Sequence, residues 1–422
     1  MASLDTAPLA AHTGASVVVE RCQVCAYAPL SPVLFLGYLP PVNQMRTIGE
    51  LPHEQPAYPA LVLSCPRCSL VQLGLIVDKE ILFPPDYPYT SGTTRNLRDN
   101  FAELYAESQT IVPMGPQELA IDIGSNDGTL LSNFQRGGHR VLGVEPSQVG
   151  NLASQRGIPT TIAFFDRALA EQIRKQHGPA KIITATNVFA HIEHIHDVVE
   201  SILLLLDEKG VFISESHYLL ALVETLQYDT IYHEHLRHYS LQSLQYLLRM
   251  HGMEVIHARR IPTHGGSMRV YAARSGAYRV QPSVNEMLRN EAEGLDAPHL
   301  KGFKDRVVQS KLELYALLRE IKQQGRRIYG IGAPSRASTL INYLGLDDGI
   351  IDCVVEVAGS LKIGKYMPGT LIPVLEESRL YREQPEYALL LSWHIADELI
   401  PKLRQKGYQG KYICPLPSPE II

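Results

Sequence analysis

Between Asp229 and Ser240 the sequence reads Asp-Thr-Ile-Tyr232-His233-Glu234-His235-Leu-Arg-His238-Tyr239-Ser, a density of ionisable and phenolic groups suited to moving protons. Histidine, with an ordinary pKa near 6.5, both accepts and donates protons at neutral pH, and an adjacent glutamate can orient or polarise the ring. The His-Glu-His spacing is not the HExxH that sets two imidazoles on one helical face, so proton abstraction from carbon is favoured over metal binding. Metal chemistry is expected elsewhere. Cys22-Gln-Val-Cys25 and Cys65-Pro-Arg-Cys68 are two CxxC pairs separated by 39 residues, the arrangement of a two-knuckle zinc site. Four thiolates around one Zn2+ leave no open position, so the site is expected to be structural; a redox pair is the rival reading. Cys353 and Cys414 stand alone in apolar surroundings and are given no role.

A second chemical feature is the run Ala120-Ile-Asp122-Ile-Gly124-Ser-Asn126-Asp127-Gly128, a strand followed by a glycine turn and an apolar helix start. The glycines let backbone approach a ligand closely, and the helix start offers unpaired N–H groups. Glu145 ends the next strand about twenty residues on, where a carboxylate can take ribose hydroxyls. This DxGxxxG turn with its distal acid is similar to the class I methyltransferase pattern, which implies S-adenosylmethionine; a tight turn without ligand is the alternative. Phe165 and Asp166 close a third candidate strand, where adenine contacts are expected, and Asn187 leaves the fourth at the carboxyl edge. Further on, Thr263-His264-Gly265-Gly266-Ser267-Met-Arg269 suits hydroxyl or phosphate recognition, and Gly330-Ile-Gly332-Ala-Pro-Ser335-Arg336 suits a diphosphate at a helix start. A plain β-turn and tight strand-to-helix packing are their bland alternatives.

These residues need a frame, and the apolar pattern supplies one. Leu119–Ile123, Val141–Val144, Ile182–Thr186 and Val211–Glu215 predict buried parallel strands with amphipathic segments between them, a doubly wound α/β sheet. A helical stretch from about Val284 to Gln324 leads into a second alternating region through Arg327–Gly332, Ile350–Val355 and Ala388–Ser392. A helix is also expected from about Arg95 to Ser108. The division expected is a zinc-binding domain over 1–85, a methyltransferase domain over 86–280 and a C-terminal Rossmann-like α/β domain over 281–422. With 422 residues, 45% of them apolar, the chain exceeds what one core organises. A formal charge of −5, from 39 basic and 44 acidic residues, disfavours nucleic acid as a partner. The start, Met1 to Ser16, has neither the basic nor the apolar run of a signal peptide, and the longest apolar run is too short to span a bilayer. A cytoplasmic protein without membrane association is expected.

Taken in order, CxxC…CxxC, Tyr87-Pro-Tyr89-Thr-Ser-Gly-Thr, DIGSNDG, NVFAHI, DTIYHEH, HGGSMRVY and GAPSRASTL…YMPGTLIP resemble the zinc-containing, S-adenosylmethionine-dependent C-methyltransferases of nucleotide-linked deoxysugars, over nearly the whole chain. The resemblance implies a 4-keto-sugar acceptor deprotonated beside its ketone, with His235 as base. It further implies that Glu234 and Tyr232 place the sugar or stabilise the enolate, that Tyr87 or Tyr89 completes the pocket, and that His191 lies near the carbonyl. A monomer or homodimer is expected. Where the family tends to carry Glu-hydrophobic-Pro-Tyr, this chain has Glu215-Ser-His217-Tyr218; Arg336 stands for Lys, Glu356 for Asp, and Ser392-Trp393-His394 for Ala-Trp-Asn. Such changes bear on the acceptor. Two other readings are a methyltransferase of a non-sugar small molecule and a zinc-containing binding protein with an inactive methyltransferase domain.

Overall fold

Short runs of β-branched and aromatic residues around the two cysteine knuckles form the strands β1 (Ser16–Val18), β2 (Ser31–Leu39), β3 (Tyr58–Ser64), β4 (Val71–Leu73) and β5 (Leu75–Val77). The computed structural model describes residues 15–83 and 95–422, so Tyr87 and Tyr89 lie outside the described residues. Strands β2, β3 and β4 pair antiparallel, and β1 pairs antiparallel with β5. No helix among the described residues is long and apolar enough to cross a membrane.

The central sheet is built from β6 (Leu119–Ile123), β7 (Arg140–Val144), β8 (Thr160–Thr161), β9 (Ala180–Thr186) and β10 (Leu206–His217). After β11 (Arg237–His238), which leaves this sheet, come β12 (Met253–Ile261) and β13 (Ser267–Arg274). The order across the sheet is β12-β13-β10-β9-β6-β7-β8. Strands β6 to β10 pair in parallel, and β13 runs antiparallel between β10 and β12. That reversal is the departure from an all-parallel expectation: the hairpin through Pro262–Gly266 returns the chain without a crossover helix. Residues of β6 alternate between two cores, Leu119, Ile121 and Ile123 on one face and Ala120 on the other, which is why every position of the strand is buried.

The predicted helical stretch after residue 283 is two helices, Pro282–Gly294 and Ala297–Gln323. Asp296 caps the second by accepting from the His299 amide at 2.9 Å, and Pro298 sits in its first turn, where proline starts a helix and cannot continue one. The last sheet follows as β14 (Ile328–Ile331), β15 (Cys353–Glu356), β16 (Val374–Glu376), β17 (Tyr387–Leu390), β18 (Lys411–Cys414) and β19 (Glu420–Ile421), ordered β16-β15-β14-β17-β18-β19. In both large sheets the chain winds outward on one side and then returns to the other side of its first strand. The crevice between β6 and β9, and that between β14 and β17, are therefore the places where ligands of open α/β sheets bind.

The N-terminal strands do not close their own core. Leu34, Ala60 and Val62 pack in one cluster with Leu219, Leu222 and Tyr228 and with Val307, Leu314 and Ile341 of the C-terminal region. Strand β11 joins β4 as the fourth strand of the N-terminal sheet, Arg237 opposite Gln72 and His238 opposite Val71. The chain just after His235 is thereby fixed to the knuckle-bearing sheet.

Candidate active site

Both crevices open into one cavity of about 1800 Å3, walled by Ile123, Gly124, Asn187 and Thr186 on one side and Ile331, Gly332 and Ser392 on the other. On the first side, Gly124 has φ 72° and Gly128 φ 75°. A Cβ on Gly124 would come within 2.8 Å of Val188, and one on Gly128 within 3.0 Å of Ala153, so close packing and left-handed backbone both demand glycine. Gly124, Asn126, Glu145, Phe165, Asp166 and Asn187 lie on the wall. The Glu145 carboxylate is held at the rim: Oε2 accepts from the Asn126 amide at 2.9 Å, and Oε1 from the Ser147 amide and hydroxyl at 2.9 and 2.6 Å. Oε2 keeps a lone pair for a hydroxyl donor. Asn187, at φ 57°, has its Oδ1 buried without a partner, a polar atom suited to a ligand. These features fit S-adenosylmethionine, which when bound supplies an electrophilic methyl on a sulfonium.

Three residues expected to contact the cofactor, Asp122, Asp127 and Gly128, lie behind the turn and not on the cavity wall. Asp122 accepts from Thr184 Oγ1 at 2.6 Å, and burial, together with Glu145 and Glu215, pushes its pKa up to about 7. Asp127 takes the Thr129 amide and hydroxyl and an ion pair from Arg156 at 3.1 Å, so it shapes the turn. Gly128 packs against Ala153 and Ile158. Asp166, on the wall, also caps the helix Arg167–His177 through the Leu169 amide.

At the inner end of the cavity lies the histidine cluster. His235 Nδ1 is 2.6 Å from the Thr230 carbonyl, which can only accept, so Nδ1 carries the hydrogen and Nε2 presents a lone pair. Burial, only partly offset by that bond and reinforced by the charge of Arg336, brings its pKa down to about 4. The ring lies over Tyr232, with centroids 4.1 Å apart at 33°, and meets His191 and His217 edge-on at 4.9 and 5.0 Å. Burial, then His235, holds His191 well below its ordinary value. Glu234 Oε1 accepts from Asn43 at 2.8 Å, which ties the cluster to the N-terminal module.

The groups expected to bind the acceptor are divided. His264, at φ 56°, lines the cavity. Gly265 instead gives its carbonyl to Gln227, and Ser267 donates to the Thr263 carbonyl. Arg269 is fully buried in β13, where Nε meets Glu215 at 2.6 Å, Nη1 meets Glu107 at 2.6 Å and Nη2 meets Asn100. It ties the helix Arg95–Ile111 to the sheet and cannot reach a phosphate. Arg336 lines the cavity, but its fork is filled: Nε and Nη2 each lie 2.8 Å from Asp229, Nη2 meets Gln227 at 3.1 Å, and Trp393 stacks beneath while donating to Asp229 at 2.8 Å. Arg336 is thus a strut that holds the loop preceding His235 to the helix Ser335–Leu344 of the C-terminal region.

Two further wall residues lie in the C-terminal half, Glu356, which the sequence marks as a departure from the family, and Lys362, which sequence reasoning missed. Glu356, at the end of β15, accepts the Ala333 and Val357 amides at 2.8 and 3.0 Å, the same arrangement that Glu145 makes beside the first glycine turn. Its place one strand after Gly330-Ile-Gly332 was the available signal. Lys362 is drawn over the turn by the Ala333 carbonyl at 2.7 Å, and burial lowers its pKa although Glu356 and Glu234 oppose this. Nothing local in the sequence marks it.

Away from the cavity, the four knuckle thiols converge, with Cys22–Cys68 and Cys25–Cys65 sulfurs 3.4 Å apart and all four within 4.8 Å of one another. Zinc–sulfur bonds of about 2.3 Å place tetrahedral sulfurs about 3.8 Å apart, so the set fits Zn2+. Both knuckles turn alike, with left-handed backbone just after the pair at Ala26 and Ser69 and matching amide bonds to the Cys22 and Cys65 carbonyls. Among the described residues no other group of three or more such ligands lies as close.

The winding of the central sheet and the wall of its β6/β9 crevice define an S-adenosylmethionine-dependent methyltransferase. Models of three families match in sequence: a putative zinc binding domain over residues 22–83, a methyltransferase domain over 97–258 and a C-methyltransferase C-terminal domain over 262–417. The C-methyltransferase NovU of Streptomyces niveus is 31% identical over 409 residues, covering 96% of this chain and 97% of its own. The chain belongs to this family of zinc-containing C-methyltransferases. Solved structures are similar over less than half the chain: the magnesium protoporphyrin IX methyltransferase of Synechocystis PCC 6803 (16% identity, 42% of this chain and 83% of that one, TM-score 0.33) and the PH0226 protein of Pyrococcus horikoshii OT3 (13%, 46% and 98%, 0.35).

Proposed function

We propose that the enzyme removes a proton from the carbon beside the ketone of a nucleotide-linked 4-keto-deoxysugar, with His235 Nε2 as base, and methylates that carbon. The observation that carries this reading is the hydrogen bond from His235 Nδ1 to Thr230, which fixes the tautomer of a ring that burial keeps neutral and turns a basic nitrogen toward a cavity shared by two crevices. A single ligand of drug size occupies roughly 300–1,000 Å3, so a cavity of about 1800 Å3 has room for a cofactor and a second bulky molecule. Gly124, Asn126, Glu145, Phe165 and Asn187 would hold the cofactor. On the facing wall, Gly332, the helix start at Ser335, Glu356 and Lys362 suit a nucleoside diphosphate: a carboxylate for ribose hydroxyls and a cation with backbone amides for phosphate. Tyr232 and Glu234 border the base and would place the sugar.

The test is methyl transfer from labelled S-adenosylmethionine to a nucleoside-diphosphate-linked 4-keto-6-deoxyhexose by wild type and His235→Gln. The variant is expected to lose roughly 10²–10⁴-fold in kcat while cofactor affinity stays within about twofold. Near-normal turnover by the variant would remove His235 from the role, and label recovered on oxygen would remove carbon as the acceptor.

A further inference from the structure

The mechanism above uses one imidazole, but a second stands beside it with the opposite hydrogen-bonding pattern. His217 is the last residue of β10, opposite Ser267, and lines the cavity. Its ring lies 5.0 Å from that of His235 at 70° and 5.4 Å from that of His264 at 42°. Its Nδ1 is sealed from solvent without a partner, whereas Nε2 is not sealed and has no partner among the described residues. A hydrogen on Nδ1 would be buried with nothing to accept it, so the neutral ring carries its hydrogen on Nε2, facing the cavity. His235 is held the other way, with its hydrogen turned back to Thr230 and its lone pair forward. The two rings, with centroids 5.0 Å apart, therefore offer an acceptor and a donor next to each other on the cavity wall.

We propose that His217 is a second catalytic residue, whose Nε2–H donates to the acceptor's carbonyl oxygen and stabilises the enolate as His235 takes the proton. This rests on the reading of proton abstraction beside a ketone. In the step, the carbon–hydrogen bond breaks and its proton goes to His235 Nε2. The electron pair left on carbon forms the carbon–carbon double bond, and the carbonyl π pair moves onto oxygen, where it accepts the His217 hydrogen bond. His217 keeps its proton throughout: burial, then the nearness of His235, His264 and Arg336, which disfavour a second positive charge among them, holds its ring neutral, and a neutral imidazole is too weak an acid to give the hydrogen away. A donor fixed in a buried cleft before reaction needs no rearrangement when charge appears on oxygen.

The half-reaction can be followed without methyl transfer. Wild type, His217→Phe, His217→Gln and His235→Gln are incubated in D2O with a thymidine-diphosphate-linked 4-keto-6-deoxyhexose and S-adenosylhomocysteine, and deuterium entry beside the ketone is read by proton NMR. Removing one such donor typically slows catalysis by about 10²–10³-fold, which is the loss expected for His217→Phe. His217→Gln, which restores an N–H, should recover at least tenfold of that loss, with cofactor affinity unchanged in both. If His217→Phe does not fold, His217→Ala replaces it. Exchange by the Phe or Ala variant within threefold of wild type, or a Gln variant no faster than Phe, overturns the role of His217 alone. No exchange by wild type, or exchange undiminished in His235→Gln, overturns the underlying reading and this proposal with it.

Discussion

The inner cavity holds several imidazoles that burial keeps neutral, and their titration should govern how the molecule responds to acid. His233, His235 and His264 are each brought down to about 4 and His238 to about 3, burial being the first cause in every case. Unfolded, these rings protonate near 6.5; folded, they do not until about 4. Between those values the unfolded chain binds more protons, so stability is full above about 6.5 and is lost as pH falls toward 4. Asp122 works in the opposite sense, because its folded value of about 7 makes the native state the better proton binder in that window. Burial also raises Glu215 and Glu291, but it lowers His191, His217, His251 and His394 as well, so eight rings stand against three carboxyls and the melting temperature should drop from pH 7 to pH 5; a flat or rising profile would contradict the burial of these rings. Turnover of the folded enzyme should stay insensitive to His235 protonation over the same range. What the sequence disclosed at this scale was local. The cysteine knuckles and the DIGSNDG turn carry their geometry in adjacent residues, but which side chains of the turn reach the cavity wall is not written in spacing, and Asp122 and Asp127 lie off it.

Helix Arg95–Ile111 contributes Asn96, Leu97 and Phe101 to the cavity wall, and a buried polar network fixes its position. Glu107 receives Arg269 and Tyr271 at 2.6 and 2.8 Å, while Asn100 donates to Glu215 at 2.9 Å. Burial would raise the Glu107 pKa, but His257, Arg269 and Tyr271 outweigh it and hold it at about 2. Removing one member of such a set leaves a buried charge without its partner, so Arg269→Met should cost about 3–5 kcal/mol in urea unfolding. A loss below about 1 kcal/mol would mean that the carboxylates find other partners. The partners of Arg269 lie in distant parts of the chain, and no reading of its own turn could reveal them. Strands such as Leu119–Ile123 were readable because both faces are buried and the run is apolar throughout. The break at Leu295 and Asp296 was passed over because the helical periodicity resumes directly after the cap.

The whole molecule depends on exchanges between its parts. Strand β11 completes the N-terminal sheet, and Arg336, from the C-terminal domain, grips Asp229 just before the base. Purified protein should carry one Zn2+ per chain, and Cys65→Ser should mainly lower soluble yield, since a structural zinc supplies folding energy. Stripping the metal with a strong chelator should lower the melting temperature and turnover together, because β4, next to the second knuckle, is what pairs with the strand after His235. A stripped protein that melts normally but is inactive would assign the metal to catalysis. The two knuckles and the two wound sheets were apparent from the sequence, but a two-residue strand lent across the chain has no periodicity to announce it. This loan has a consequence for biosynthesis. As the polypeptide leaves the ribosome, β2 to β4 emerge first, and their greasy faces stay uncovered until the residues around Leu219–Tyr228 and then the last third of the chain have been made. The nascent N-terminal segment must therefore wait, metal bound or not, for chain synthesised long after it, and truncated translation products should be clients for chaperones.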